Sequence, residues 1–248
     1  MKNKLIVANW KLHPATQAEA LKLARVSDHK NVVICPPFLF LAPIGKSVKR
    51  AALGAQDVFW EEKGPHTGEV SAQMLKGMGV QYVIVGHSER RKMGETDGMV
   101  SAKVTTALMA GLRVILCVGE PLHVHKKGLA VTKRFVQQQL TEDLRGISHL
   151  ERKSTQLVVT YEPVWAISGG KRDVKGRADK PEDAVVVIRF IKKILNSRFK
   201  IRDSRMLYGG SVNAKNAKSF LKYKEIGGAL VGGASLRPKE FLGIIRAA

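Results

Sequence analysis

Eight times along the chain a short run rich in Val, Ile and Leu gives way to an amphipathic stretch of helical length. The runs are KLIVANW, NVVICPP, AALGAQDVFW, QYVIVGHSE, RVILCVGE, TQLVVTYEP, SRMLYGGSV and GALVGGAS. Most are too continuously apolar for a strand with one wet face, and they read as parallel strands covered by helices. Between them Val100, Val104, Leu108 and Gly111 keep one helical stripe, and Ala184, Ile188, Ile191 and Leu195 keep another. Pro14, Pro181 and Pro238 stand where three helices would open, a position at which a missing amide hydrogen costs nothing. Eight such units in 248 residues, with no composition shift or Gly/Ser linker, predict an α/β fold: a closed (β/α)8 barrel with residues 1–248 as a single domain. An open doubly wound sheet would use fewer strands.

In that architecture functional groups sit where strands end and loops begin. Applied as a filter, this returns Asn9 and Lys11, His87 and Glu89, Glu120, Glu162, Ser211 and the Gly232–Gly233 pair. Lys11 supplies fixed positive charge, and the turns after the seventh and eighth strands expose backbone amides where barrels commonly bind phosphate. Glu162 lies between Tyr161 and Pro163 and near Trp165, in the stretch TYEPVWAISGG. A carboxylate partly withdrawn from water is a competent general base, and a histidine at a neighbouring strand end can hydrogen-bond a carbonyl and stabilise an enolate. Together these groups describe aldose–ketose isomerisation of a small phosphate ester.

Composition bounds the rest. At 44% hydrophobic and 25% charged the chain is globular. No segment approaches the roughly 20 apolar residues of a membrane span, and MKNKLIVANWK lacks the apolar core and cleavage site of a secretory signal. Cys35 and Cys117 fall in separate apolar runs, which predicts two buried thiols, no disulfide and no zinc site. His123 and His125 have no third ligand nearby and read as part of a solvated loop, so no metal is assigned. A cytoplasmic location is expected. The net charge of +21 attracts anions without naming one. A polyanion- or nucleic-acid-binding barrel is the alternative reading, but no ribonucleoprotein, helix-turn-helix or zinc pattern is present and the basic residues are spread along the chain, so nucleic acid is not expected as a partner.

ANWK at 8–11, GHSERR at 86–91, YEPVWAI at 161–167, YGGSV at 208–212 and LVGGASL at 230–236 together resemble the motifs of the triosephosphate isomerase family, in order and from end to end of the chain. The resemblance implies the TIM barrel fold, no cofactor, and interconversion of dihydroxyacetone phosphate and glyceraldehyde 3-phosphate. That family is itself the standard illustration of the chemistry, so the residue roles come from the resemblance: Glu162 as the base and a neutral His87 as the electrophile. It further implies that Asn9 and Lys11 touch the substrate, that Ser168, Ser211, Gly232 and Gly233 hold its phosphate, and that Glu89 and Cys117 support the site. A lid from Pro163 to about Lys171, including Trp165 and Gly170, would close over the phosphate and be latched by Tyr208 and Ser211. The segment AQDVFWEEKGPHTGEVS is similar to the family's long third loop, with Gln56, Thr67, Gly68 and Glu69 matching its pattern, and so implies a homodimer.

The chain departs from that pattern at several points. The lid reads AISGGK where the family has AIGTGK, placing Ser168 at a glycine position. The connection KRDVKGRADK is longer than usual and carries five basic residues against two acidic ones, a charge suited to capturing an anionic substrate. Asp57 replaces an asparagine, and Gly227 replaces an aspartate, which leaves Arg189 without its expected partner.

Overall fold

The computed structural model describes residues 4–147, 156–167 and 180–248. Its strands are β1 (Leu5–Asn9), β2 (Val32–Cys35), β3 (Ala52–Ala55), β4 (Tyr82–Val85), β5 (Arg113–Val118), β6 (Leu157–Tyr161), β7 (Arg205–Tyr208) and β8 (Gly228–Val231). Each pairs in parallel with its neighbours, and β8 closes on β1 through Leu5 opposite Gly228. The eightfold alternation thus produces the closed barrel. The described helices are α1 (Gln17–Ser27), α2 (Leu41–Ser47), α3 (Ala72–Gly77), α4 (Ser88–Lys92), α5 (Asp97–Met109), α6 (Leu122–His125), α7 (Leu129–Asp143), α8 (Pro181–Phe199), α9 (Ala217–Leu221) and α10 (Pro238–Arg246).

Alternate residues on each strand face opposite ways, so the core has two layers. The inner one holds Leu5, Val7, Val33, Cys35, Ile84, Ile115, Cys117, Val158, Leu207 and Leu230; the larger outer one fills the space between strands and helices. The stripes read from sequence are the buried faces: Val100, Val104 and Leu108 on α5, and Ala184, Ile188, Ile191 and Leu195 on α8. Gly111 lies past the end of α5 with φ +81°, closing the helix instead of extending its stripe.

Two expectations are corrected. Pro181 and Pro238 do open helices, but Pro14 does not: α1 begins at Gln17, where the Thr16 side chain accepts a hydrogen bond from the Glu19 amide. Arg189 does not lack a partner, because Glu225, two residues before Gly227, accepts from its Nε and Nη2 at 3.0 and 2.7 Å.

Candidate active site

β1 delivers Asn9 to the C-terminal mouth of the barrel, and the chain then bends at Lys11, whose φ of 55° is unusual for a residue with a side chain. Three hydrogen bonds hold that bend in place. The Lys11 amide donates to Asn9 Oδ1 at 3.0 Å, and Gln56 Nε2 donates to the carbonyls of Lys11 and Cys35 at 2.8 and 2.9 Å. The Lys11 ammonium lies 2.7 Å from Glu89 Oε1. Burial pushes the Glu89 carboxyl up, but the hydrogen bond and charge of Lys11, with neighbouring basic groups such as Lys92, together outweigh it and hold the group below the usual carboxylate range.

His87 follows β4 and caps α4. Its Nδ1 accepts the Glu89 amide at 3.2 Å. An N–H aimed at Nδ1 requires a lone pair there, which leaves the proton of the neutral ring on Nε2. That atom lies 3.0 Å from Glu162 Oε1. Glu162 follows β6 and is only 3% exposed; its carboxylate also accepts the Ser88 amide at 3.1 Å and the Ser88 hydroxyl at 3.3 Å.

The backbone around Glu162 leaves it little freedom. Its amide donates to the Val118 carbonyl at 2.8 Å. A Cβ on Gly119 would lie 1.9 Å from the Glu162 carbonyl oxygen, and one on Gly209 would lie 2.6 Å from Thr160 Cγ2. Only glycine lets the flanking strand ends approach this closely.

From His87 and Glu162 a cavity of about 140 Å³ runs past Lys11 to Ser211, Gly232, Gly233 and Arg237. Gly233 opens a short 3₁₀ turn ending at Leu236, and the first amides of such a turn have no partner within it. The Ser211 amide is already committed to the Ala166 carbonyl at 3.0 Å. One end of the cavity therefore carries an imidazole N–H and a carboxylate in contact, and the other carries cationic side chains and a glycine turn.

The sequence of this chain matches a family model described as triosephosphate isomerase over residues 4–248. The triosephosphate isomerase of Dictyoglomus thermophilum is 41% identical over 99% of this chain and 100% of its own length. That of Thermoanaerobacter pseudethanolicus is 43% identical, covering 99% of each chain, and that of Aquifex aeolicus is 40% identical, covering 98% of each. The chain belongs to the triosephosphate isomerase family.

The residues that resemblance to the triosephosphate isomerase family singled out fall in several places. Asn9, Lys11, His87, Glu162, Ser211, Gly232 and Gly233 line one cavity. Beside it Glu89 bonds Lys11, and Cys117 lies inside the barrel with its thiol pushed well above the usual range, first by burial and then by the Glu162 charge. Tyr208 is buried on the outer side of β7, stacked on Phe220 with ring centroids 4.2 Å apart. Ser168, Gly170 and the rest of 168–179 lie outside the described residues.

Thr67, Gly68 and Glu69 are exposed on a loop whose base is closed by the Phe59 amide on the Val70 carbonyl at 2.8 Å. Gln56, which the motif places with them, points its amide inward to Lys11.

Trp165, three residues beyond Glu162, donates from Nε1 to Glu120 Oε1 at 2.7 Å, and the Tyr161 hydroxyl donates to the same carboxylate at 3.2 Å. His125 does not sit in a solvated loop: it is half-buried, closes α6 and stacks on Trp165 at 3.9 Å, because Glu120 draws the two rings together. Among the described residues no group of three or more His, Cys, Asp and Glu side chains is placed to hold a metal ion.

Sequence reasoning missed Ser88, whose only signal was its place inside GHSERR, and Arg237, which reads in sequence as one more surface cation. It also returned Glu120 as a strand-end carboxylate without finding its task.

Proposed function

We infer that this chain interconverts dihydroxyacetone phosphate and D-glyceraldehyde 3-phosphate, with no cofactor, through an enediolate. The observation that carries the assignment of roles is the 3.0 Å approach of His87 Nε2 to Glu162 Oε1 at the inner end of a cavity whose outer end is cationic.

Glu162 leaves Ser88 and takes a proton from C1 of the ketose, and the electron pair released flows into a C1–C2 double bond while the C2 carbonyl oxygen gains negative charge. His87 Nε2–H, freed from Glu162 by the incoming carbonyl, donates to that oxygen, and the Lys11 ammonium offsets the charge of enediolate and phosphate. Return of the proton to C2, with proton transfer between the two oxygens, yields the aldose. Asn9 sets the backbone of Lys11, and the phosphate occupies the end lined by Ser211, Gly232, Gly233 and Arg237, with Ser168, Trp165 and Gly170 belonging to the covering segment.

Homodimerisation is part of this proposal. Its support is the exposed loop bearing Thr67, Gly68 and Glu69, together with Leu12 (92% exposed) and Met93 (70% exposed), apolar groups that a partner would cover. Light scattering showing a monomer of 27.3 kDa at working concentration would remove it. A cytoplasmic location belongs to the same reading and is supported by two cysteines kept as free thiols. No described helix is long and apolar enough to cross a membrane.

The test is a coupled assay of glyceraldehyde 3-phosphate conversion by the parent and by Glu162→Asp, which withdraws the carboxylate by one methylene. Fast turnover by the parent and a fall of about 100-fold or more in kcat for the variant support the assignment; equal rates overturn the role of Glu162.

A further inference from the structure

The barrel has a second polar opening, at the end opposite Glu162. β5 begins at Arg113 and β7 at Arg205. Each stands two residues before an inward-facing side chain, Ile115 and Leu207 respectively, so both arginines continue the inner rows at the N-terminal mouth. With Arg50, just before β3, they border a cavity of about 380 Å³ whose floor is Leu5, Val33, Tyr82 and Val158.

Among the described residues that line the cavity, three are arginines and one, Asp203, is acidic; Asp28, nearby, accepts the amides of Lys49, Arg50 and Ala51 and also faces the Arg50 charge. Among the described residues neither Arg50 nor Arg113 enters an ion pair. The Lys4 ammonium, bonded to the carbonyls of Tyr223 and Ile226, is held below its ordinary range by burial and then by the charge of Arg205. Arg113 is also set in place before any ligand arrives: its guanidinium lies 5.3 Å from the Tyr82 ring centroid, and Nη1 donates to the Tyr82 hydroxyl at 3.1 Å.

We propose that this N-terminal mouth, bordered by Arg50, Arg113 and Arg205 over an apolar floor, is a binding site for a small, multiply charged phosphate compound, separate from the triose site. Guanidinium groups match phosphate oxygens in pairs, and Tyr82 already holds Arg113 over the floor of the cavity. The cavity, at about 380 Å³, is roomier than the one at Glu162, at about 140 Å³.

Inorganic pyrophosphate is the probe, titrated calorimetrically into the full-length protein at low ionic strength. Three variants separate the two ends of the barrel: Lys11→Met at the triose site, and Arg113→Ala and Arg50→Ala at the opposite mouth. The expected result is binding that survives Lys11→Met and weakens about tenfold in each arginine variant, with kcat/KM of the arginine variants unchanged. Pyrophosphate should also raise Tm of the parent and of Lys11→Met more than that of Arg113→Ala. The proposal is overturned if Arg113→Ala and Arg50→Ala bind pyrophosphate as the parent does, or if Lys11→Met abolishes all binding. Should one arginine variant fail to fold, the other gives the same reading, since both side chains are exposed.

Discussion

The side-chain amide of Gln56, the residue after β3, donates to the Lys11 carbonyl at 2.8 Å and so holds the left-handed bend that aims the Lys11 ammonium into the cavity. Backbone in this region costs on the order of 1–3 kcal/mol and persists only where neighbours over-determine it. Gln56→Leu removes both donors and leaves two carbonyls, those of Lys11 and Cys35, without their partner. The expected outcome is a rise in KM of about tenfold, larger than the fall in kcat, because Lys11 would be displaced while Glu162 and His87 stay in place. Steady-state kinetics beside a thermal melt check it, and an unchanged KM would mean that Asn9 suffices to hold the bend.

Glu120 is fully buried and accepts from Trp165 and Tyr161 while His125 lies 3.4 Å from it, so one carboxylate organises the segment that leaves Glu162. Glu120→Gln replaces one acceptor oxygen by an amide donor that faces a hydroxyl or indole N–H. An unsatisfied buried donor costs about 1–3 kcal/mol. We expect kcat to fall about tenfold with KM changed less, and the Trp165 fluorescence to shift as its Nε1 bond is lost. His125→Ala should have a smaller effect in the same direction, since it removes a stacked ring and the longest of the Glu120 contacts while the Trp165 and Tyr161 bonds remain.

How far the site was legible depended on the kind of signal. The barrel followed from strand and helix periodicities, since Val32–Cys35 or Tyr82–Val85 are apolar on both faces only if helices cover them. Lys11, His87 and Glu162 were visible because strand ends are few and the motifs around them are long. Ser88 was not, and Gln56 stood out only as part of the third-loop motif, because their work depends on register: Gln56 continues past Ala55 to reach the Lys11 carbonyl after β1, and Ser88 meets Glu162 from a strand two places away. The stacking of His125 on Trp165 joins residues 40 positions apart, and no local pattern announces it.

Asp57 shows how one substitution can be absorbed. Lys103, 2% exposed, donates to Asp57 at 2.7 and 3.0 Å and also reaches Glu95, while Arg90 lies 2.9 Å from the same Asp57 carboxylate. Two cations therefore face two anions under the third loop. Lys103→Met would leave the buried Glu95 carboxylate unpaired and should lower stability by about 3–5 kcal/mol, read as a shift in the denaturant midpoint. Asp57→Asn keeps the shape, leaves Glu95 to Lys103 and should cost clearly less; equal losses would contradict this division of charge.

Asp28 predicts a response to acid. Burial pushes its carboxyl up, but the amides of Ala51, Arg50 and Lys49 together outweigh that and hold it below the usual range. The unfolded carboxyl, at about 3.9, takes up a proton before the folded one does. Its stabilising contribution is therefore complete above about pH 4 and is lost as the pH falls through the lower folded value. Asp28→Ala should be less stable than the parent at neutral pH, and the gap should narrow as the pH drops below about 4. Urea midpoints at neutral and acid pH measure it, and a gap independent of pH would assign the loss to packing alone.

Cys35 and Cys117 both face the inside of the barrel and are fully buried, which pushes each thiol far above its usual range; the Glu162 charge adds to the effect at Cys117. A thiol must ionise and meet its reagent to react, so neither should be modified by a disulfide reagent in the native protein, and both should react once it is unfolded. The rate of labelling without denaturant then reports the opening of the barrel itself, because every strand is held on both sides by another. Prompt reaction of one thiol would mean that β2 or β5 opens locally. Prompt loss of activity on modification of Cys117 would place that opening beside Glu162, where Cys117 pairs in register with Thr160, two residues before the base.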